Sequence, residues 1–295
     1  MADYSAAEYN AALRKLRSFL DSSEPNLVYF LVNLWNAQGK AITYKEIREA
    51  ILAGEISKKY LDEWRQDYNK FVVKHMLSAW EEAMQAATDE MAAKYPDWYF
   101  NPMSEGIRNW TKTHSAEFVT YVTDAQIEGL RAVIERAAKL EDRNVDMLAR
   151  AIRPMVGLYR QQAEANLNYY NNLIENGVNE KKALDLSIRY GARQHRYRGY
   201  LIARTELAFA YNKGMDEGVR QAQAKGYMGK TVKIWCTADD ERMCEECGAL
   251  EGKAILMDEE FNFHTKLKLS GIRRTPPAHP SCRCSVLYKE ITTKQ

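Results

Sequence analysis

The feature that most constrains this chain is a run of metal-type side chains between Cys244 and Cys284. It begins Cys244-Glu-Glu-Cys247 and ends His279-Pro-Ser-Cys282-Arg-Cys284. Four of the five cysteines and two of the five histidines fall in this window. A Cys-x-x-Cys pair puts two sulfurs on one turn, and His279-x-x-Cys282 supplies a second pair at the same spacing. Zinc takes four nitrogen or sulfur ligands in a tetrahedron, and two short pairs joined by a loop make such a set. Five candidates, Cys244, Cys247, His279, Cys282 and Cys284, compete for four places. If the chain is extended from Cys282 to Cys284, both sulfurs share a face and Arg283 takes the other. An all-cysteine site with His279 outside it and a Cys244, Cys247, His279, Cys282 site are both open. Either is closed, hence structural, because a catalytic zinc keeps a position for water. Reduced thiols and a disulfide are the alternatives, the second requiring an oxidising compartment.

The 295 residues are enough for two domains or for one with a long helical part. Net charge is +2, so bulk electrostatics give no argument for nucleic acid or membrane. The first residues lack a basic segment followed by an apolar one, and no run of about eighteen apolar residues occurs, so neither a signal peptide nor a transmembrane helix is expected. A thiol-reducing cytoplasm is the expected home.

Most of the chain reads as helix. Glu24-Pro25 fits a helix start, with proline in the first turn. Thr43-Tyr-Lys-Glu46 is a capping box, with Ile42 and Ile47 placed to close a hydrophobic staple. A long helix is expected from about Ser57 toward Lys94, with Leu61, Trp64, Tyr68, Phe71 and His75 on one stripe. The two prolines of 94–103 break the pattern and set a soft boundary. Helix resumes near Ser104. Pro154 ends a helix over 144–153, Gly177 caps the next, and Asn179 starts a third. That third helix runs to about Lys225, where Gly226 stops it. Within it, Arg189, Arg193 and Arg196 share a face. That face is a phosphate- or acid-binding stripe or a solvated surface. Arg204 and Glu206, two apart, cannot pair with each other on a helix and are expected to tie to different neighbours.

The last seventy residues change character. Thr231–Cys236 alternates and is β-branched, so it reads as a strand with Cys236 a buried free cysteine. Lys253–Leu256 and Ser285–Tyr288 are further strands. His264–Arg274 reads as a basic loop carrying Lys266, Lys268, Arg273 and Arg274. The expectation is a mainly α protein: an elongated multi-helix N-terminal and central part (1–100 and 101–226) with a small, zinc-stabilised α+β domain at 227–295.

Several short motifs, in order, resemble one family. They are Ile152-Arg-Pro-Met-Val-Gly-Leu158, Arg196-Tyr-Arg198, Ile202-Ala-Arg-Thr-Glu206 and Ala210-Tyr-Asn-Lys-Gly214. Then come Trp235, Asp240-Glu-Arg-Met-Cys244 with Cys247, Leu250-Glu-Gly-Lys253, and Pro276-Pro-Ala-His279-Pro-Ser-Cys282-Arg-Cys284. Over about residues 145–290 the chain resembles phage minor head proteins of the Mu F-like head morphogenesis family. The resemblance marks Arg204, Thr205, Glu206 and Asp240 as motif residues. It implies a minor structural protein of a tailed-phage head, partnered by the portal and other head proteins. Such a protein would be found in the host cytoplasm during assembly and then in the virion, with no catalytic activity. The metal is not implied by the resemblance; it rests on the spacing in this chain. Two other classes stay open. One is a metal-dependent nuclease using His264 and His279, with the basic loop on phosphate; the other is a zinc-stabilised DNA-binding module.

Overall fold

A computed structural model describes residues 4–140, 144–238, 240–241, 243–264 and 270–291, with 270–272 described by backbone alone. The chain is mainly helical, as expected, with a small antiparallel sheet near its C-terminus. Lys266 and Lys268 lie outside the described residues.

Helix α1 spans Ala6–Ala41 and contains Pro25, so the expected helix start at Glu24-Pro25 is corrected. An interior proline costs about 3 kcal/mol. Leu16, Leu20, Leu27, Leu31 and Trp35 are all buried on either side of it. Each buried side chain of this size contributes about 1.5–3 kcal/mol, so burial outweighs the break. Helix α2 (Tyr44–Ala53) carries the predicted capping box: the Glu46 amide donates to Thr43 Oγ1 and the Thr43 amide to the Glu46 carboxylate. Ile42 and Ile47 are both buried at this end. The long helix expected to Lys94 is α3 (Lys59–Phe71) and α4 (Leu77–Lys94), joined by a π-helical turn at Val72–Met76. Next come α5 (Glu105–Ala138), α6 (Val145–Ile152), α7 (Arg160–Glu175) and α8 (Glu180–Ala224). Gly177 and Gly226 take positive φ at the ends of α7 and α8, as read from the sequence.

The contacts divide the chain into two units that do not follow the expected cuts near 100 and 226. One is 1–25, 77–111 and 201–295; the other is 26–76 and 112–200. The physical reason is helix length. Helices α1, α5 and α8 have 36, 34 and 45 residues, and each contributes to both units.

The unit of 26–76 and 112–200 has an aliphatic core that includes Ile42, Ile51, Trp64, Val133, Ile134, Ile152 and Leu167. Beside it runs a buried polar chain. Trp35 Nε1 donates to the Tyr68 hydroxyl at 2.7 Å, and Tyr68 donates to Gln126. Arg198, also buried, donates to the Gly157 carbonyl and lies 5.1 Å over the Trp35 ring.

In the other unit, α4 packs on α8 where Gly214 and Gly218 open a flat strip. Strand β1 (Thr231–Cys236) sits between β2 (Ala254–Leu256) and β5 (Ser285–Glu290), antiparallel to both. A separate hairpin pairs β3 (Phe261–His264) with β4 (Ser270–Arg273), so the expected basic loop at 264–274 is in part a strand. Phe261 and Phe263 face inward on alternate positions and bury. This burial favours the ladder over a loop. A short helix α9 (Glu245–Gly248) follows β1.

Candidate metal centre

The Cys-x-x-Cys pair sits at the start of α9. Cys244 is its N-cap, and its sulfur accepts the Cys247 amide at 3.3 Å. The opposing pair comes from the loop before β5. There Ser281 takes a left-handed φ of 59° without being a glycine, a conformation that persists only where the surroundings hold it. Thr205 of α8 supplies the hold: its Oγ1 accepts the Ser281 amide at 3.0 Å and donates to the Leu201 carbonyl at 2.6 Å.

Two groups of donors result, Cys244, Cys247 and His279 in one and Cys247, Cys282 and Cys284 in the other, each with its atoms within 4.8 Å. Cys247 belongs to both. The Cys247 and Cys282 sulfurs are 3.6 Å apart, and His279 Nε2 is 3.5 Å from Cys247 and 3.0 Å from Cys244. Zn–S and Zn–N bonds of about 2.3 and 2.0–2.1 Å give tetrahedral edges of about 3.8 Å between sulfurs and about 3.5 Å from sulfur to nitrogen. Both distances from Cys247 match these edges. All five cysteines are free, which removes the disulfide alternative in this structure. His279 Nδ1 lies 2.9 Å from the Pro280 carbonyl, so it donates there and leaves Nε2 as the ligating atom. His279 is therefore placed to ligate directly.

Cys247, Cys282 and Cys284 are at most 4% exposed and pack with Trp235, Leu250, Phe261 and Phe263. Hydrogen bonds from the Cys247 and Cys284 thiols hold Cys282 well below the ordinary thiol range. Contact with Cys282 raises His279 to about 9. A metal ion at this place would displace the proton that His279 and Cys282 share, since ligation takes a thiolate and a neutral imidazole. Cys236 stands apart as a buried free thiol, pushed up to about 12 by burial.

The motif residues tie this cluster down. Arg204 forks onto the buried Glu24 carboxylate at 2.6 and 3.0 Å and reaches Asp21 at 3.6 Å. Glu206 is buried on the same helix, at 9% exposure. Asp240, before the first cysteine pair, takes a fork from Arg283, at 2.5 and 2.6 Å. Arg283 thus faces away from the two sulfurs that flank it. Arg273 donates to the Ala278 carbonyl next to His279 and reaches Glu246 between the first two cysteines.

The remaining basic residues divide. Arg274 lies 3.4 Å from the buried carboxylate of Asp216, so it too serves the fold. Arg189 pairs with Asp185, Arg193 stacks on Tyr190, and Arg196 is exposed; these three share an open face of α8. His264 is exposed on β3 and is not among the grouped donors.

Asp216 and Lys233 escaped the sequence reading. Asp216 is 1% exposed and is met by Arg220, Arg274 and the Tyr288 hydroxyl. Lys233 is fully buried in mid-strand, and its ammonium has no hydrogen-bond partner among the described residues. The spacing of Asp216 and Arg220, one helical turn, was the available signal for the first. Alternation within β1 placed Lys233 on the face opposite Val232 and Ile234 but did not show that this face was covered.

Fold and cluster together define a helical protein whose C-terminal portion gathers four cysteines and a histidine into one group that could hold a metal ion. Residues 143–287 match the family described as Phage Mu protein F like protein. That family points to phage head morphogenesis. No curated protein and no solved structure matches the chain. No described helix is long and apolar enough to cross a membrane.

Proposed function

We propose that this protein is a minor structural component of a tailed-phage head. It associates with the portal vertex, acts in head assembly or in DNA packaging and delivery, and passes from the host cytoplasm into the virion. The observation that carries this reading is the family match over 143–287, with its motif residues spent on internal ties. Arg204, Thr205 and Asp240 brace the cysteine cluster or its supports. That use supports a structural role for the motif. The cluster is assigned one structural zinc, held by Cys247, His279, Cys282 and one of Cys244 or Cys284. Four protein ligands leave no open position for water.

The test is co-expression with the cognate portal protein, followed by size exclusion and by analysis of purified heads. Co-migration and presence in heads are expected. Failure of both overturns the assignment.

A further inference from the structure

Strand β5 ends the three-stranded sheet, and among the described residues only one of its edges is paired, to β1. Two bonds show which groups point outward. Ile291 donates its amide to the Lys230 carbonyl, continuing the β1–β5 ladder, while Trp235 exchanges bonds with Gly252 and Lys253 on the opposite side of β1. Antiparallel pairs alternate, so Val232 with Lys289, Ile234 with Leu287 and Cys236 with Ser285 exchange the ladder bonds. The amides and carbonyls of Val286 and Tyr288 therefore point away from β1. Among the described residues these outward groups find no partner, although Val286 is only 5% exposed. Buried backbone groups are nearly always paired, and an open strand edge is a template for another strand.

A cavity of about 350 Å³ lies along this edge. Its lining includes four consecutive residues of β5, Ser285 to Tyr288. Consecutive strand residues face opposite sides of a sheet, so a cavity touching all four follows the edge, not a face. Ala12 of α1 and Met91 of α4 also line it, with Met215 and Val219 of α8. Methionine adapts to varied apolar partners. The charges at the rim neutralise one another: Lys15 with Glu90, Lys289 with Glu8, and Lys94 with Glu290. These residues all belong to the unit of 1–25, 77–111 and 201–295.

We propose that this edge receives a fourth strand, an extended, uncharged peptide segment of another head protein. Its backbone pairs with Val286 and Tyr288, and its alternate apolar side chains rest on Met91 and Met215. Strand addition takes affinity from main-chain bonds and selectivity from the pockets for alternate side chains. The source of the strand rests on the head-protein reading; the edge itself does not.

The experiment is fluorescence anisotropy of full-length protein against two probes. One is a set of peptides tiled across the portal and other head proteins of the same phage. The other is a designed peptide of alternating Val and Thr, which tests the edge without reference to any partner. Val286→Pro removes an outward amide and no ladder bond. Ala12→Arg fills the cavity from the far wall, and Val286→Thr restores the amide. At least one tiled peptide is expected to bind, weakened roughly tenfold or more by the first two variants and within about twofold for the third. Melting curves of all three confirm that they fold. If neither probe binds, or if binding ignores both Val286→Pro and Ala12→Arg, the edge proposal is wrong while the head reading can stand. If only the designed peptide binds, and does so through Val286, the edge stands and the head-protein source falls.

Discussion

Gly214 offers the sharpest test of how the helices of the C-terminal unit meet. A Cβ placed there would lie 2.3 Å from Met84 Cα and 2.8 Å from the Met84 carbonyl oxygen on α4. Carbon atoms in contact sit about 3.5–4.0 Å apart, so the helices must part by more than about 1 Å or bend. Two effects oppose each other in Gly214→Ala. Helix propensity favours alanine by about 1 kcal/mol. Overpacking costs about 1–3 kcal/mol, and the upper end applies because the obstacle is backbone and cannot turn aside. The net is a loss of about 2 kcal/mol, a fall in melting temperature of roughly 4–8 °C. Gly106→Ala is the control, since its Cβ would meet only the Glu217 carboxylate, the far end of a flexible side chain. Circular dichroism melts and urea titrations of both variants read the result. Gly214→Ala melting at or above wild type would falsify the close crossing, and with it the account of why the Ala210–Gly214 motif ends in glycine.

Four further outcomes are expected. Protein purified without chelator should carry about one zinc per chain by elemental analysis. Cys247→Ser, which strikes the donor common to both groups, should open residues 236–290 to protease and leave the upstream helices folded; metal-free protein with chelator-insensitive melting would refute the site. Lys233 is depressed to about 8 chiefly by burial, against an ordinary lysine value of 10.5. Between these values the unfolded chain binds the extra proton, so stability rises as pH climbs from about 8 to 10.5. Lys233→Met should abolish that rise and stabilise the protein by up to about 3 kcal/mol at neutral pH, read by urea titration at several pH values. Replacing Arg189, Arg193 and Arg196 by glutamate should lower any DNA affinity about equally for all sequences and flatten its salt dependence, since such contacts reach phosphate. Unchanged affinity in a binding titration would return this face of α8 to plain solvation.

Sequence alone determined what short spacing encodes. The capping box at Thr43, the left-handed stops at Gly177 and Gly226, strand β1 and each of the two short clusters of metal-type donors involve residues a few positions apart. Their chemistry is local, so it is legible before folding. Tertiary structure decided whatever depends on distant partners. Pro25 stays inside α1 because buried leucines flank it, and Glu24 is buried because Arg204, 180 positions on, forks onto it. Asp216 and Lys233 look like surface charges until β5 and the β3–β4 hairpin cover them. His279 could be placed beside Cys247 only once Thr205 was seen to hold the Ser281 turn. The units escaped a linear reading for the same reason: three helices each serve two cores, and no local pattern marks where a continuous helix passes from one to the next.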